Sequence, residues 1–464
     1  MRTAEKGAAL IVILALIGIA FVSLLVVAVS ASRAQIEKAQ QTEAALGRAR
    51  EALIAYAVSV SPDTSAKRPG DLPCPDLDND GSAEATCPSD TQRIGRLPWK
   101  TLDLGDLRDG DGERLWYALS GKFDRTTVNQ CPTAGGAGCL NSETYGTITV
   151  RAVDASTIHD GTNPSSQPSG AIAVVISPGA VLKRMMGASG PQDRGCTGDS
   201  NVASCNQTGI CTGPVFTATA RCNPTNFLDV VGPPVLSVPG SPGSSEDNAN
   251  FADATTTDGF IQGPIWNSSD AVVLNDRVIV LRYEDLMPHL ERRVAAEALR
   301  CLQDFATDSS GRYPWAAPVA ADYSVTPLAD EDLRTFGRLP DTLPASMAYA
   351  GMAASWRSNC PIGMSAPNHM WWANWRNLAF FGIAPGYAPD QSSPACGTCL
   401  TVDPPSPGAD KHVVVLVAGW ALSGQIRGVG ASETAYLEDA NATGGTDFKQ
   451  AKPAASFNDF VLYQ

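Results

Sequence analysis

Between Ala8 and Ser32 the chain carries no charged residue, and Leu, Ile, Val and Ala dominate the run. As a helix rising about 1.5 Å per residue, its roughly 22 most apolar residues reach about 33 Å, enough to cross the hydrocarbon core of a bilayer. A secretory signal normally has a shorter apolar region of about 7 to 15 residues, although Ala28-Val29-Ser30 offers the small residues a signal peptidase accepts. Arg2 and Lys6 precede the run and favour keeping that end in the cytoplasm, so everything beyond about Ser32 is expected outside it.

From Ala34 to Tyr56 the pattern turns amphipathic, with Ile36, Ala39, Leu46 and Leu53 near heptad spacing. One helix of roughly 50 residues is therefore expected to run from the membrane into a folded body. The leader ending Glu5-Lys6-Gly7, the apolar start Ala8-Ala9-Leu10-Ile11-Val12-Ile13 and this amphipathic extension together resemble the type IV prepilin and type II secretion pseudopilin class. The resemblance implies cleavage between Gly7 and Ala8 by prepilin peptidase, methylation of the new terminus, and packing of the helix against other pilin subunits. Most of that class carries Glu at the fifth mature position, where this chain has Val12. A carboxylate in lipid is tolerable only when paired, so its loss removes both a cost and a registration contact. The large K-type minor pseudopilins share this absence, which favours a minor or tip subunit.

The twelve cysteines, all beyond the apolar run, fit disulfides in an oxidising compartment. Pairing of neighbours is expected: Cys74 with Cys87, Cys131 with Cys139, Cys196 with Cys205, Cys211 with Cys222, Cys301 with Cys360, and Cys396 with Cys399. Spacing alone leaves the connectivity open. The CxxC at Cys396 to Cys399 sits in a Pro-rich loop, not at a strand-to-helix junction, so it reads as a staple more readily than as a redox pair. The gaps among Cys196, Cys205, Cys211 and Cys222 lack the tight knuckles of zinc ribbons.

The same blocks recur in the same order twice. A helix ending at Tyr56, Leu72 to Asp76, Ile94-Gly-Arg-Leu-Pro98, Leu115-Trp-Tyr117, Ala171 to Gly179, Asn226-Phe-Leu-Asp229 and Leu274 to Leu281 form the first series. A helix from Leu286 to Phe305, Tyr313-Pro-Trp315, Phe336-Gly-Arg-Leu-Pro340, Trp375 to Phe381, His412 to Gly419, Ala435-Tyr-Leu-Glu438 and Phe457 to Leu462 form the second. In the second helix Leu290, Val294, Ala298, Cys301, Leu302 and Phe305 form an apolar face, with Asp285 and Pro288 suited to its first turn. Short Val-rich runs punctuated by Gly and Pro predict antiparallel sheets, each packed on a helix. The stretches 187–222 and 233–258 are too polar for core and are expected to decorate the surface.

Acidic residues outnumber basic ones 48 to 34, for a net charge of −14, and no basic stripe is present, so no nucleic-acid partner is expected. Four scattered histidines and the absence of GxSxG, HExxH and GxxxxGK[ST] leave an enzyme without a supporting motif. Asp76-Leu-Asp-Asn-Asp80-Gly81 matches D-x-[DN]-x-[DN]-G, in which alternate carboxylates converge on a hard cation and the glycine permits a sharp turn. Asp76, Asp78, Asp80 and Glu84 are the candidate calcium ligands. Cys87 stands at the twelfth position, where an EF-hand has a bidentate Glu, and the alternative is an acidic turn without metal. A second acidic run, Asp103 to Glu113, is looser. The aromatic cluster Trp371-Trp-Ala-Asn-Trp375 suits either core or sugar stacking.

These readings combine into an α+β chain: leader 1–7, membrane-spanning helix 8–32, a first pilin-like module over 33–283 with its helix at 33–57, and a second over 284–464. The function expected is a minor pilin or pseudopilin at the tip or initiation point of a filament, anchored in the inner membrane of a Gram-negative cell with its bulk in the periplasm. The alternative is a single-pass anchored adhesin or glycan-binding protein that never enters a filament.

Overall fold

The computed structural model describes residues 4–59, 68–124, 139–154, 156–162, 169–184, 190–197, 200–211, 220–228, 248–249, 252–254, 259–266, 272–324, 327–363, 369–404 and 406–464. Cys131 and most of 233–258 lie outside them. Helix α1 (Ala4–Ser59) is continuous, so the apolar run and the amphipathic extension are one rod. It is long and apolar enough to cross a membrane. Its described side chains from Val12 to Val29 are exposed, whereas Ala45, Leu46, Ala49, Leu53 and Ala57 are buried one turn apart. Ile36, expected on the packed face, is 53% exposed, because the body begins about two turns beyond it.

Among the described residues eleven strands follow α1 in the first series, of which seven form the main framework: β1 (Ile94–Arg96), β2 (Trp116–Leu119), β3 (Val150–Arg151), β4 (Thr157–His159), β5 (Ala173–Ser177), β6 (Phe260–Ile261) and β7 (Arg277–Leu281). Helix α2 (Tyr283–Asp308) then opens a second series: β8 (Phe336–Arg338), β9 (Ala379–Ile383), β10 (Leu400–Asp403), β11 (Ser406–Lys411), β12 (Val413–Val417), β13 (Asp447–Lys449) and β14 (Phe460–Tyr463). The two series have one topology. The sheets run β1-β2-β5-β7 and β8-β9-β12-β14, antiparallel throughout, and the small sheets run β4-β3-β6 and β11-β10-β13. In each small sheet the middle strand is antiparallel to one neighbour and parallel to the other. The first series differs by two extra hairpins and by the short helix Val202–Thr208 in the cysteine-rich insertion.

Period-two alternation explains why both large sheets are apolar on both faces. Ala173 and Val175 of β5 join the large core while Val174 and Ile176 join a smaller one. Val413, Val415 and Val417 of β12 repeat this, with Val414 and Leu416 on the opposite face. α1 packs on β5 and β7, α2 packs on β12 and β14, and the helices pack on each other. The result is a sheet-helix-helix-sheet sandwich with a central core drawn from both series and a further cluster within each series on the other face of its sheet. Trp371, Trp372 and Trp375 are in that core, 2% exposed or less.

α2 begins three residues before Leu286, with the Asp285 carboxylate accepting from the Arg282 N–H at 2.9 Å. Pro288 is consequently the sixth helical residue rather than a first-turn one, and its missing N–H leaves a carbonyl of the first turn without its helical partner. Among the described residues five cysteine pairs lie at disulfide distance, with Cα separations of 5.3–6.4 Å: 74 with 87, 196 with 205, 211 with 222, 301 with 360, and 396 with 399. Cys139 is disulfide-bonded, and its expected partner lies outside the described residues. Asn248, in a stretch expected at the surface, is fully buried and donates to Asp276 Oδ2 at 2.9 Å.

Candidate functional site

The acidic loop grows from a framework bridge. The N–H of Asp76 donates to the carbonyl of Arg96 (2.9 Å) and the Asp76 carbonyl accepts from the Arg96 N–H (2.8 Å), as Ala317 does with Arg338 in the second series. After Asp76 the first series forms an acidic loop closed by the Cys74–Cys87 clamp. The turn is made by Asn79 (φ 64°) and Gly81 (φ 92°). At Gly81 a β-carbon would lie 2.6 Å from the Trp99 ring, so glycine is required there both for φ and for space.

Asp76 accepts from the N–H groups of Asp80 (3.2 Å) and Gly81 (2.7 Å), Asp78 accepts from Asp80 N–H (3.0 Å), and Glu84 accepts from Leu77 N–H (3.3 Å). These bonds turn Asp76, Asp78 and Glu84 inward, and one carboxylate oxygen from each falls within 4.8 Å of the other two. Each oxygen that accepts one N–H keeps a second lone pair, and an all-oxygen set of this kind suits a hard cation. Asp80, the fourth expected ligand, is not in the group; its carboxylate accepts from Ser82 N–H at 2.6 Å. Cys87 is committed to its disulfide. Burial pushes the Asp76 carboxyl up to about 7, opposed by the Gly81 N–H and reinforced by Asp78 and Asp80. Burial likewise raises Glu84, with the Leu77 N–H opposing and the same two aspartates adding. A divalent cation would relieve this crowding.

The second acidic run is structural. Asp109 is fully buried and accepts from Asp111 N–H, Glu113 N–H, Ser177 Oγ–H and Gly179 N–H at 2.7–3.1 Å. Its loop meets α1, where Lys38 pairs with Asp111 at 2.7 Å. Asp106 is held below the usual carboxylate range by Arg114 and Arg108, which outweigh its burial.

Beside the acidic loop lies a cavity of about 230 Å³ lined by Arg96, Arg108, Arg114, Arg194, Arg221 and Glu113. Asn79 links the two: Arg114 donates to its carbonyl and to Oδ1 at 2.9 and 3.0 Å. Arg96, across from Trp116 in the β1–β2 register, stacks between Trp116 (4.2 Å) and Phe227 (4.0 Å). Burial pulls its guanidinium down to about 9, with Glu113 opposing, so it remains cationic at neutral pH. Arg338 repeats the arrangement opposite Phe380, stacked on Phe380 (4.8 Å) and Tyr436 (4.6 Å), with a third ring, Tyr323, at 4.7 Å. Of this cluster only the Gly-Arg blocks around Arg96 and Arg338 stood out in the sequence, as repeat markers. Arg114, Arg194 and Arg221 carry no spacing signal, since the fold gathers them from separate loops.

A second cavity, about 600 Å³, lies at the seam of the two series and is lined among others by His159, Arg282, Tyr283, Glu291 and Trp420. The Gly7–Ala8 bond falls in the first turns of α1. No family model matches the chain, and none of the curated proteins or solved structures compared with it does either.

Proposed function

We propose that the protein is a minor pilin or pseudopilin, a non-enzymatic subunit at the tip or initiation point of a type IV pilus-like or type II secretion filament. The observation that carries this reading is α1: one uninterrupted helix whose first half is apolar and exposed and whose second half enters the core of the body. An exposed apolar rod continuous with a rigid head is what lateral packing among subunits in and above a membrane requires. The Glu5-Lys6-Gly7 leader supplies the cleavage point before Ala8, and Val12 in place of the usual Glu favours a terminal position. The doubled head is bulky enough to obstruct stacking of further subunits above it. The bulk lies in the periplasm, and the partners are other pilin subunits and prepilin peptidase. Calcium bound by Asp76, Asp78 and Glu84 would stiffen the head. The adhesin alternative loses its aromatic cluster, because Trp371, Trp372 and Trp375 are core.

Mass spectrometry of the membrane-extracted protein, with and without prepilin peptidase, tests the reading. A methylated start at Ala8 that depends on the peptidase is expected. A start at Met1 or near Ala31 would sink it. For the cation, calcium at a hundredfold excess over Kd should stabilise the protein by about 2.7 kcal/mol. Calcium and EGTA leaving the melting temperature unchanged, with Asp78→Ala equally silent, would remove the metal from the proposal.

A further inference from the structure

The geometry points to the arginine cavity as a binding site for a small oxyanion of the phosphate or sulfate type, a ligand class independent of filament assembly. Five guanidiniums line it, and the carboxylates that answer them are few. Asp106 takes both Arg108 and Arg114, Glu113 stands 3.4 Å from Arg194, and Asp76 acts on Arg96 only at longer range. Positive charge is therefore left over in a protein whose net charge is −14.

The surplus is located on particular atoms. Arg194 is satisfied by the Asn226, Gly179, Pro178 and Ala180 carbonyls and by Gln192. Arg96 gives its two terminal nitrogens to the carbonyls of Arg114 (3.0 Å) and Arg221 (3.2 Å), but its Nε, in a residue 4% exposed, has no acceptor among the described residues. The buried Nε of Arg221 has none either, and among the described residues its guanidinium meets no carboxylate or carbonyl. A buried cationic donor without an acceptor is costly, and an oxyanion returns charge-assisted bonds to it. A planar guanidinium fork matches two oxygens of one tetrahedral anion.

The remaining walls suit an anion or its ester. Asn206, Gln207 and Thr208 at the end of the short insertion helix offer amide and hydroxyl groups. The two insertion cystines hold Arg221 in place, since Cys222 pairs with Cys211 and the 220 N–H bonds the Thr197 carbonyl at 2.8 Å. The second series supplies an internal control. At its counterpart Arg338 one terminal nitrogen also lacks an acceptor, but the Tyr323 ring covers the guanidinium, and among the described residues there is no such insertion to gather further cations round it. The cavity is thus an addition to one half of a repeated framework, at a place where the framework itself closes.

The test is thermal denaturation of the full chain in detergent, with EGTA present so that no cation bridges to the ligand. Inorganic phosphate, sulfate and glycerol 3-phosphate are titrated against sodium chloride at matched ionic strength. A saturable rise in melting temperature with the oxyanions and not with chloride is expected. Tighter binding of glycerol 3-phosphate than of phosphate would assign the pocket to a phosphate ester, and the reverse to the free ion. Arg221→Gln should weaken binding about tenfold or more. Its effect on the fold should be small, because the bond from Arg96 goes to the backbone of residue 221. Gln207→Glu, on an exposed side chain, adds a negative charge to the wall and should weaken binding if Arg221→Gln does not fold. Absence of a saturable shift, an equal shift with chloride, or binding unchanged in a folded variant would overturn the assignment.

Discussion

Arg96 and Arg338 occupy the same station in the two halves of the molecule, and their surroundings have diverged. Each faces an aromatic residue across a β-ladder and stacks on a second ring from a later segment, Phe227 or Tyr436. The same economy recurs at Asn248 and Asn441. Each brackets a strand by accepting from its N–H and donating to its carbonyl, and each donates to an aspartate just ahead of the last strand, Asp276 or Asp459. These buried polar stations fix the repeated frame. The acidic loop and the arginine cavity, by contrast, belong to the first half, the cavity where that half carries its cysteine-rich insertion. What is repeated holds the chain together, and what is unrepeated offers chemistry.

The largest effect should come from the core that both halves share. Trp372→Ala removes a fully buried ring and should cost about 3–5 kcal/mol. Because the central cluster draws on both halves, hydrogen exchange should speed up together in β5 of the first half and β12 of the second. Loss of protection confined to residues 336–464 would break the comparison and show two independent bodies. Next comes the pair of arginines. Arg338→Met strands the Val319 and Asn377 carbonyls in a ring-covered site, at about 2–3 kcal/mol. Arg96→Met strands two carbonyls beside a polar cavity that admits water and also removes surplus charge, so about 1 kcal/mol or less is expected. Urea denaturation of both variants measures the contrast, and equal costs would mean that the cavity does not distinguish the two sites.

Much of this frame could be read from residue order. The twin series of blocks marks strands that take equivalent places in two sheets, and Asp76-x-Asp with Gly81 marks a loop that does converge. The failures share a cause, namely that periodicity names a buried face without naming what covers it. The continuous apolar runs of β5 and β12 fit strands covered on both sides without saying by what, and the faces of α1 and α2 do not announce that they meet. Asp80 fits the motif by position yet spends its carboxylate on Ser82 N–H, a choice made by local backbone geometry. The arginine cavity was out of reach, since residues 96, 114, 194 and 221 converge only once the insertion folds back on β1.

The smallest expected effect lies at the seam, where Glu291 of α2 accepts from Ser142 Oγ–H of the first half at 2.8 Å. Burial pushes its carboxyl up to about 7, against the Ser142 bond, the charge of Arg427 and the Tyr283 hydroxyl. The native state therefore holds a proton between roughly pH 4.5 and 7 that the unfolded chain has released. The stability this gives is complete below the unfolded pKa and is lost as pH rises to about 7, unlike that of an ion-paired carboxylate, which rises with pH. Asp76 acts in the same direction, so the readout is the difference between the wild-type protein and Glu291→Gln, which mimics the protonated form. From pH 4.5 to 7 the wild type should lose about 1–2 kcal/mol more than the variant in urea titrations. Parallel curves would mean that Glu291 is charged in the folded protein and that the seam is wetter than its packing indicates. A steeper loss in the variant would mean that the carboxylate, not the acid, holds the two halves together.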